Sequence, residues 1–323
     1  MRNVDKFFMR TKTLADGTKL QYDIRKGVPQ IRREENGSYS IFNANGATIT
    51  GSENGSNINI YGGNNVTYNG TGNGKDNVSL FECNGTHVNG NDGNDNIKVY
   101  GGKDNSVSGG RGNDSIRNFG NGTTINGGSG NDAIYSRGNN TRVFGDSGND
   151  RMNIFGNNNK VWGGSGNDNI NVRGEHNAVR GNSGNDRMSI FGNQNYASGG
   201  TGNDSVYSRG NENRISGAAG NDRLNAFGNN YRISGGTGND SIYSRGNNNS
   251  IFGGWGNDSI NSYGFGNRNF GGHGNDRISS FGNNNFSDGG WGNDSINSNG
   301  FGNRDFGGPG FDRFNHNHRR FMG

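Results

Sequence analysis

Residues 238–255 read GNDSIYSRGNNNSIFGGW, and the next eighteen, 256–273, read GNDSINSYGFGNRNFGGH. The opening Gly-Asn-Asp recurs at Gly93, Gly112, Gly130, Gly148, Gly166, Gly184, Gly202, Gly220, Gly238, Gly256, Gly274 and Gly292, with an imperfect copy at Gly310-Phe311-Asp312. After one nineteen-residue step every interval is eighteen. A period this strict marks a solenoid of stacked coils. Inside the unit, Ile242 and Ile251 lie nine residues apart, as do Ile134 and Val143, Ile170 and Val179, Val206 and Ile215, and Leu224 and Ile233. Gly and Asn dominate and no 3.6-residue period appears, which excludes a helix. Each nonapeptide half reads as a turn of about six residues and a strand of about three. The expected fold is all-β: a parallel β-roll or β-helix solenoid with eighteen-residue coils made of two nonapeptide halves. Apolar residues point inward from both walls, and strands stack about 4.8 Å apart. The residue two after the first apolar site (Ile154, Val172, Ile190, Ser208, Ala226, Ser244) also points inward by alternation.

Composition agrees with that reading. Only 26% of the 323 residues are hydrophobic, and Gly supplies 64 of them against two Pro. A globular core needs more apolar side chains, and a disordered linker has no reason to keep register. Collagen fails because Gly is not every third residue. The single cysteine, Cys83, reads as a small buried residue. No apolar run approaches a membrane span. The sequence divides into a cap (1–36), degenerate coils (37–92), regular coils (93–316) and a basic tail (317–323). In the last three coils Asn269, Ser287 and Asp305 occupy the second apolar site, each with a Phe one residue away, which leaves a shift of register open there.

The extended motif, quoted as GGTGNDSVY from Gly199, GGTGNDSIY from Gly235 and GGWGNDSIN from Gly253, closely resembles the repeats-in-toxin family, the hemolysin-type calcium-binding repeats. The resemblance covers about two thirds of the chain. It implies calcium held in the turns by the aspartate and backbone carbonyls. The residues so placed are Asp95, Asp114, Asp132, Asp150, Asp168, Asp186, Asp204, Asp222, Asp240, Asp258, Asp276, Asp294 and Asp312. Electrostatics points the same way. At an effective dielectric of about 20, aspartates about 4.8 Å apart repel by roughly 3 kcal/mol per pair. An intercalated cation relieves this, and calcium takes six to eight oxygens in flexible geometry. Two other readings compete: the aspartates bond turn amides, or the arginines that follow several of them (Arg151, Arg187, Arg223, Arg277 and Arg313) neutralise them. The second half-turn departs from the family pattern. It carries Asn159, Asn177, Asn195, Asn213, Asn249, Asn267, Asn285 and Asn303 where a fully loaded roll has Asp. A half-loaded roll follows, with calcium along one edge, an asparagine ladder along the other, and about one Ca²⁺ per regular coil or fewer.

One outer column alternates aromatic and arginine: Phe155, Arg173, Phe191, Arg209, Phe227, Arg245. It reads as a cation–π ladder, or as a stripe for anionic glycans or cell-surface polymers. No nucleic-acid motif accompanies it. A second column, Ser129, Ser147, Ser165, Ser183, Thr201, Ala219, Thr237, Trp255, His273, Trp291, resembles in part the Thr-x-Asn arrays of bacterial calcium-dependent ice-binding proteins, but bulky residues break it. None of the five histidines sits in a triad or metal-ligand constellation, and no nucleophile or phosphate-loop motif occurs, so no enzyme is expected. The net charge of +4 is mild. The expected function is a calcium-stabilised structural or adhesion rod, extracellular or at the cell surface. The chain shows neither a signal-peptide apolar region nor a clear C-terminal secretion segment. The alternative is a calcium-independent or glycan-binding solenoid held by its Asn and Phe/Arg ladders.

Overall fold

The computed structural model describes residues 8–317, with side chains as far as 315. Residues 1–7 of the expected cap and 318–323 of the expected basic tail lie outside them. The chain divides into two compact units, Met1–Gly164 and Ser165–Gly323. Among the described residues every regular element is a β-strand except the 3₁₀ turn Ile24–Lys26.

In the first unit, two walls of parallel strands face each other. One runs from Thr48–Thr50 through Thr67–Asn69, His87–Asp92 and Ser106–Arg111 to Thr124–Ser129 and Arg142–Ser147. The other runs from Tyr39–Phe42 through Asn57–Tyr61, Asn77–Phe81, Asn96–Tyr100, Ser115–Asn118 and Ala133–Ser136 to Arg151–Phe155. Each wall begins on an antiparallel strand. Lys19–Asp23 pairs with Thr48–Thr50, and Gln30–Arg33 pairs with Tyr39–Phe42. The second unit repeats the plan. One wall runs from Ala178–Ser183 to Arg304–Phe306 and the other from Asn169–Arg173 to Arg313–Asn317.

The alternation read from sequence holds. Ile170, Met188, Val206, Leu224, Ile242 and Ile260 form one fully buried column, and Val179, Ala197, Ile215, Ile233 and Ile251 face them. The second inward column passes from Val172 and Ile190 to Ser208, Ala226, Ser244, Ser262, Ser280 and Ser298. The core therefore thins toward the C-terminus. A buried Ile contributes about 1.5–3 kcal/mol and a Ser almost nothing of that kind, so the later coils rely more on their hydrogen-bond ladders.

One sequence expectation needs revision, and the register left open in the late coils is resolved. Most strands of the regular coils are longer than three residues: Ser241–Arg245 has five and Ser250–Trp255 has six. The paired glycines of the motif already belong to the strand, since Gly236 pairs with Gly254 and Gly254 with Gly272. The late coils do not shift register. Ile251, Asn269, Ser287 and Asp305 pair in line, and Asn269 and Ser287 are fully buried. The Asn269 amide reaches Ser280 Oγ at 3.3 Å, while its carbonyl oxygen has no partner. Stacking on Phe252 holds Phe270 on the outer face, with ring centroids 5.0 Å apart.

Candidate metal edge

The function of Gly-Asn-Asp becomes visible in one turn. Gly202 has a φ of +122°, and a Cβ there would collide with the carbonyl of Gly184 in the preceding coil. Only glycine combines that backbone conformation with that approach. Asn203 and Asp204 then build two ladders of opposite direction. On the outside, Asn203 donates its N–H to Asn185 Oδ1 of the preceding coil at 2.6 Å, and Asn221 donates to Asn203 Oδ1 at 2.7 Å. On the inside, Asp204 donates its N–H to Asp222 Oδ1 of the following coil at 2.7 Å, and Asp186 donates to Asp204 Oδ1 at 2.7 Å. The same inner ladder runs from Asp95 to Asp150 in the first unit and from Asp168 to Asp312 in the second, at 2.7–2.9 Å.

Amide bonding thus accounts for one oxygen of each carboxylate. The other is a different matter. Oδ2 of Asp95, Asp114, Asp132, Asp186, Asp204, Asp222, Asp240, Asp258, Asp276 and Asp294 is buried and makes no hydrogen bond. It lies against the first glycine of the motif, beside the carbonyl of the equivalent glycine in the next coil. At Gly199, a Cβ would meet both Asp204 Oδ2 and Gly217 O. At three rungs of the column the arginine that follows the aspartate does not neutralise it. Asp186, Asp222 and Asp276 are buried, whereas Arg187, Arg223 and Arg277 point to solvent and form no ion pair among the described residues. Burial is the main reason these carboxyls titrate high; bonds from the preceding coil's N–H oppose it and neighbouring carboxylates add to it. Asp95, Asp132, Asp204 and Asp258 are pushed up to about 7, and Asp240 and Asp276 to about 6. Asp186 and Asp222 rise for the same reason.

Buried charge without a partner is costly, and an all-oxygen set of carboxylate and glycine carbonyls suits a hard cation such as calcium. No group of three or more His, Cys, Asp or Glu among the described residues could hold a metal by side chains alone. A cation here would draw on backbone carbonyls.

The opposite edge uses the same architecture with Asn inside. Asn195 donates its N–H to Asn213 Oδ1 at 2.7 Å, and Asn249 to Asn267 Oδ1 at 2.8 Å. The difference lies in the second atom. The Nδ2 of Asn195, Asn213, Asn249 and Asn267 donates to a glycine carbonyl of an earlier coil at 2.9–3.1 Å. At these four positions the edge satisfies itself, whereas the Nδ2 of Asn285 and Asn303 in the last coils is buried without an acceptor. Tyr231 interrupts the ladder; it is buried, and its hydroxyl sits 3.0 Å from Ser208 Oγ and 2.9 Å from Asn213 Nδ2.

Sequence reading missed Asp76, which belongs to the same column: Ser56 N–H donates to its Oδ1 at 2.7 Å and its own N–H to Asp95 Oδ1 at 2.8 Å. The signal was Gly74-Lys75-Asp76 in a degenerate coil. Asp312 accepts at the last rung from Asp294 at 2.9 Å.

The outer column is in register as expected: Phe191, Arg209, Phe227, Arg245 and Tyr263 pair in order. Its contacts differ from the expected ladder. The rings zigzag with tyrosines two residues back: Phe191 to Tyr207 at 5.8 Å, Tyr207 to Phe227 at 5.3 Å and Phe227 to Tyr243 at 5.6 Å. Arg173 lies over Phe191 at 5.2 Å and, in the first unit, Arg137 over Phe155 at 5.7 Å. Among the described residues Arg209 and Arg245 cover no ring. In the other column Trp255 and Trp291 are each 62% exposed and both stack on His273.

A solved structure, that of a hyperactive, Ca²⁺-dependent, beta-helical antifreeze protein from an Antarctic bacterium, is similar over 74% of this chain and 78% of that one, with a TM-score of 0.58 and 25% identity. No curated protein matches. No helix among the described residues is long and apolar enough to cross a membrane. The model of the RTX calcium-binding nonapeptide repeat matches residues 99–117, 120–152, 155–189, 191–224, 232–260 and 265–296. These spans fall on the coils whose inner turns carry the aspartate column and cover more than half of the sequence, so the chain belongs to the RTX calcium-binding nonapeptide repeat family.

Proposed function

We propose that this chain is a non-catalytic, calcium-stabilised solenoid that serves outside the cell as a structural or adhesive element. The observation that carries this reading is the contrast between its two edges. At Asn195, Asn213, Asn249 and Asn267 the asparagine edge supplies a glycine carbonyl to accept from each Nδ2. At the ten aspartates named above, the aspartate edge leaves one buried oxygen without a hydrogen bond beside glycine carbonyls. The motif aspartates from Asp95 to Asp312 are the proposed ligands, with Asp76 added, and the load is about one ion per coil or fewer. Because the carboxylates come together only when coils stack, binding free energy becomes folding free energy. The chain would remain loose where calcium is scarce and stack where it is millimolar. The antiparallel strands before residue 36 would cover the first coil and block edge pairing.

Circular dichroism with calcium and with chelator tests the coupling. Loss of the β signal in chelator supports it; an identical signal in both conditions supports instead a calcium-independent solenoid held by its Asn ladders. The antifreeze activity of the similar structure is not carried over. Ala219 interrupts the exposed hydroxyl column, and Trp255, His273 and Trp291 fill its continuation, which is a poor match to an ordered hydroxyl array. Thermal hysteresis in calcium is the check, and a clear freezing-point gap would reverse this part of the reading.

A further inference from the structure

The wall that begins at Ala178–Ser183 carries a second, unexplained column. Sheet register places Arg214, Arg232, Ser250, Arg268, Phe286 and Arg304 in one line. All four arginines are exposed, and no carboxylate pairs with them among the described residues. Arg232, Arg268 and Arg304 follow each other at every second coil, about 10 Å apart. Beside them run aromatic rings. Arg232 lies over Phe252 at 5.1 Å, Phe252 stacks on Phe270 at 5.0 Å, and Phe270 meets Phe286 at 5.6 Å. Arg268, Phe270, Asn284, Phe286 and Arg304 line a surface groove of about 540 Å³.

Cations at a fixed long spacing, with ring faces between them and amides at the rim, suit a linear polymer whose charges recur at that spacing. Guanidinium groups bind carboxylate or sulfate as bidentate forks. Half-buried phenylalanines offer apolar faces to the C–H faces of pyranose rings. The net charge of +4 understates what a partner meets, because the aspartates that offset the arginines are largely buried in the inner column. We propose that the groove at Arg268 and Arg304, extended by Arg232, binds a linear acidic polysaccharide with one carboxylate per repeating disaccharide. Such a disaccharide has about the length of two coils. A single-stranded nucleic acid carries its phosphates at closer spacing than these arginines, so it is the less fitting polyanion. The site rests on the calcium-held reading above, since only stacked coils keep the arginines in line.

The test uses the full chain in millimolar calcium, with circular dichroism establishing the β-fold first. The probes are a hyaluronan oligosaccharide, a neutral chitin oligosaccharide and an oligothymidylate, followed by calorimetry. Hyaluronan should bind in a salt-sensitive way and the chitin oligosaccharide should not. Arg268→Gln with Arg304→Gln should weaken hyaluronan binding roughly tenfold or more, as loss of two charge-assisted contacts implies. The pair Arg209→Gln and Arg245→Gln, on the opposite wall, should leave it unchanged. A folded protein that binds no hyaluronan, equal binding by the Arg268/Arg304 variant, or tighter binding of oligothymidylate would each overturn the proposal. Failure to fold in calcium would instead sink the calcium-held reading.

Discussion

Replacing Asp204 with Asn should raise stability without calcium and lower it with calcium. Asp204 Oδ1 accepts from Asp186 at 2.7 Å, and Asn keeps that acceptor. Oδ2 is the buried, unpaired atom beside Gly217 O. Asn puts an NH₂ there, the group that at Asn213 donates to Gly192 O at 2.9 Å. Relief of an unsatisfied buried polar atom is worth about 1–3 kcal/mol. Repulsion from Asp186 and Asp222 adds at most roughly 3 kcal/mol each at a dielectric of about 20. That part shrinks near neutral pH, where a carboxyl pushed up to about 7 is half protonated. A calcium-free gain of about 1–3 kcal/mol follows. With calcium at about a thousandfold excess over its Kd the sign reverses, because the loss of one bound ion removes about 4.1 kcal/mol, more than the about 1–3 kcal/mol gained. Thermal unfolding followed by circular dichroism should show Tm rising by a few degrees in chelator and falling by a similar amount in calcium, at about 2–4 °C per kcal/mol. The sign is the readout, since stacked coils need not unfold in one step. A shift of the same sign in both buffers refutes the assignment of Asp204 Oδ2 to a cation.

Proton linkage gives a second prediction. Carboxyls raised by folding stabilise the metal-free fold fully below their ordinary value of 3.8, and that stability is lost as pH climbs to about 7. Metal-free protein should therefore melt higher at about pH 5 than at about pH 8, and calcium, which needs the carboxylate, should invert that order; melting curves at both values with and without chelator decide it. Gly217→Ala should disrupt the stack, because its Cβ would strike Asp222 Oδ2 in its own coil and lie close to Gly235 O of the next; a cost of about 2–4 kcal/mol is expected in denaturant titration. Asn269→Ile should stabilise by roughly 1–2 kcal/mol, since it removes an unpaired buried carbonyl and continues the column of Ile233 and Ile251; a lower midpoint would show that Asn269 is needed where it stands.

Much of the fold was legible because the period is strict. One apolar residue per half-coil, at Ile242 and Ile251, is enough to name the inward face, and an aspartate at constant offset must form a column. What stayed hidden was set by contacts between coils. Nothing in Gly-Asn-Asp tells that Asn203 bonds backward and Asp204 forward, or that only one carboxylate oxygen is used. The paired glycines read as turn residues, yet they belong to the strand because their missing side chains let coils approach. The aromatic zigzag was missed because Tyr207 and Tyr243 lie two residues before the column that had been singled out. The Arg214–Arg304 column escaped notice because its members are interrupted by Ser250 and Phe286, and only the register of the sheet aligns them.

Calorimetric titration of the chelator-stripped protein with calcium measures the difference between the two edges directly. A half-loaded solenoid binds no more than about one Ca²⁺ per regular coil, with folding appearing alongside binding. A stoichiometry near two per coil would mean that the asparagine edge also holds metal, and no binding at all would mean that the orphaned aspartate oxygens are not calcium ligands.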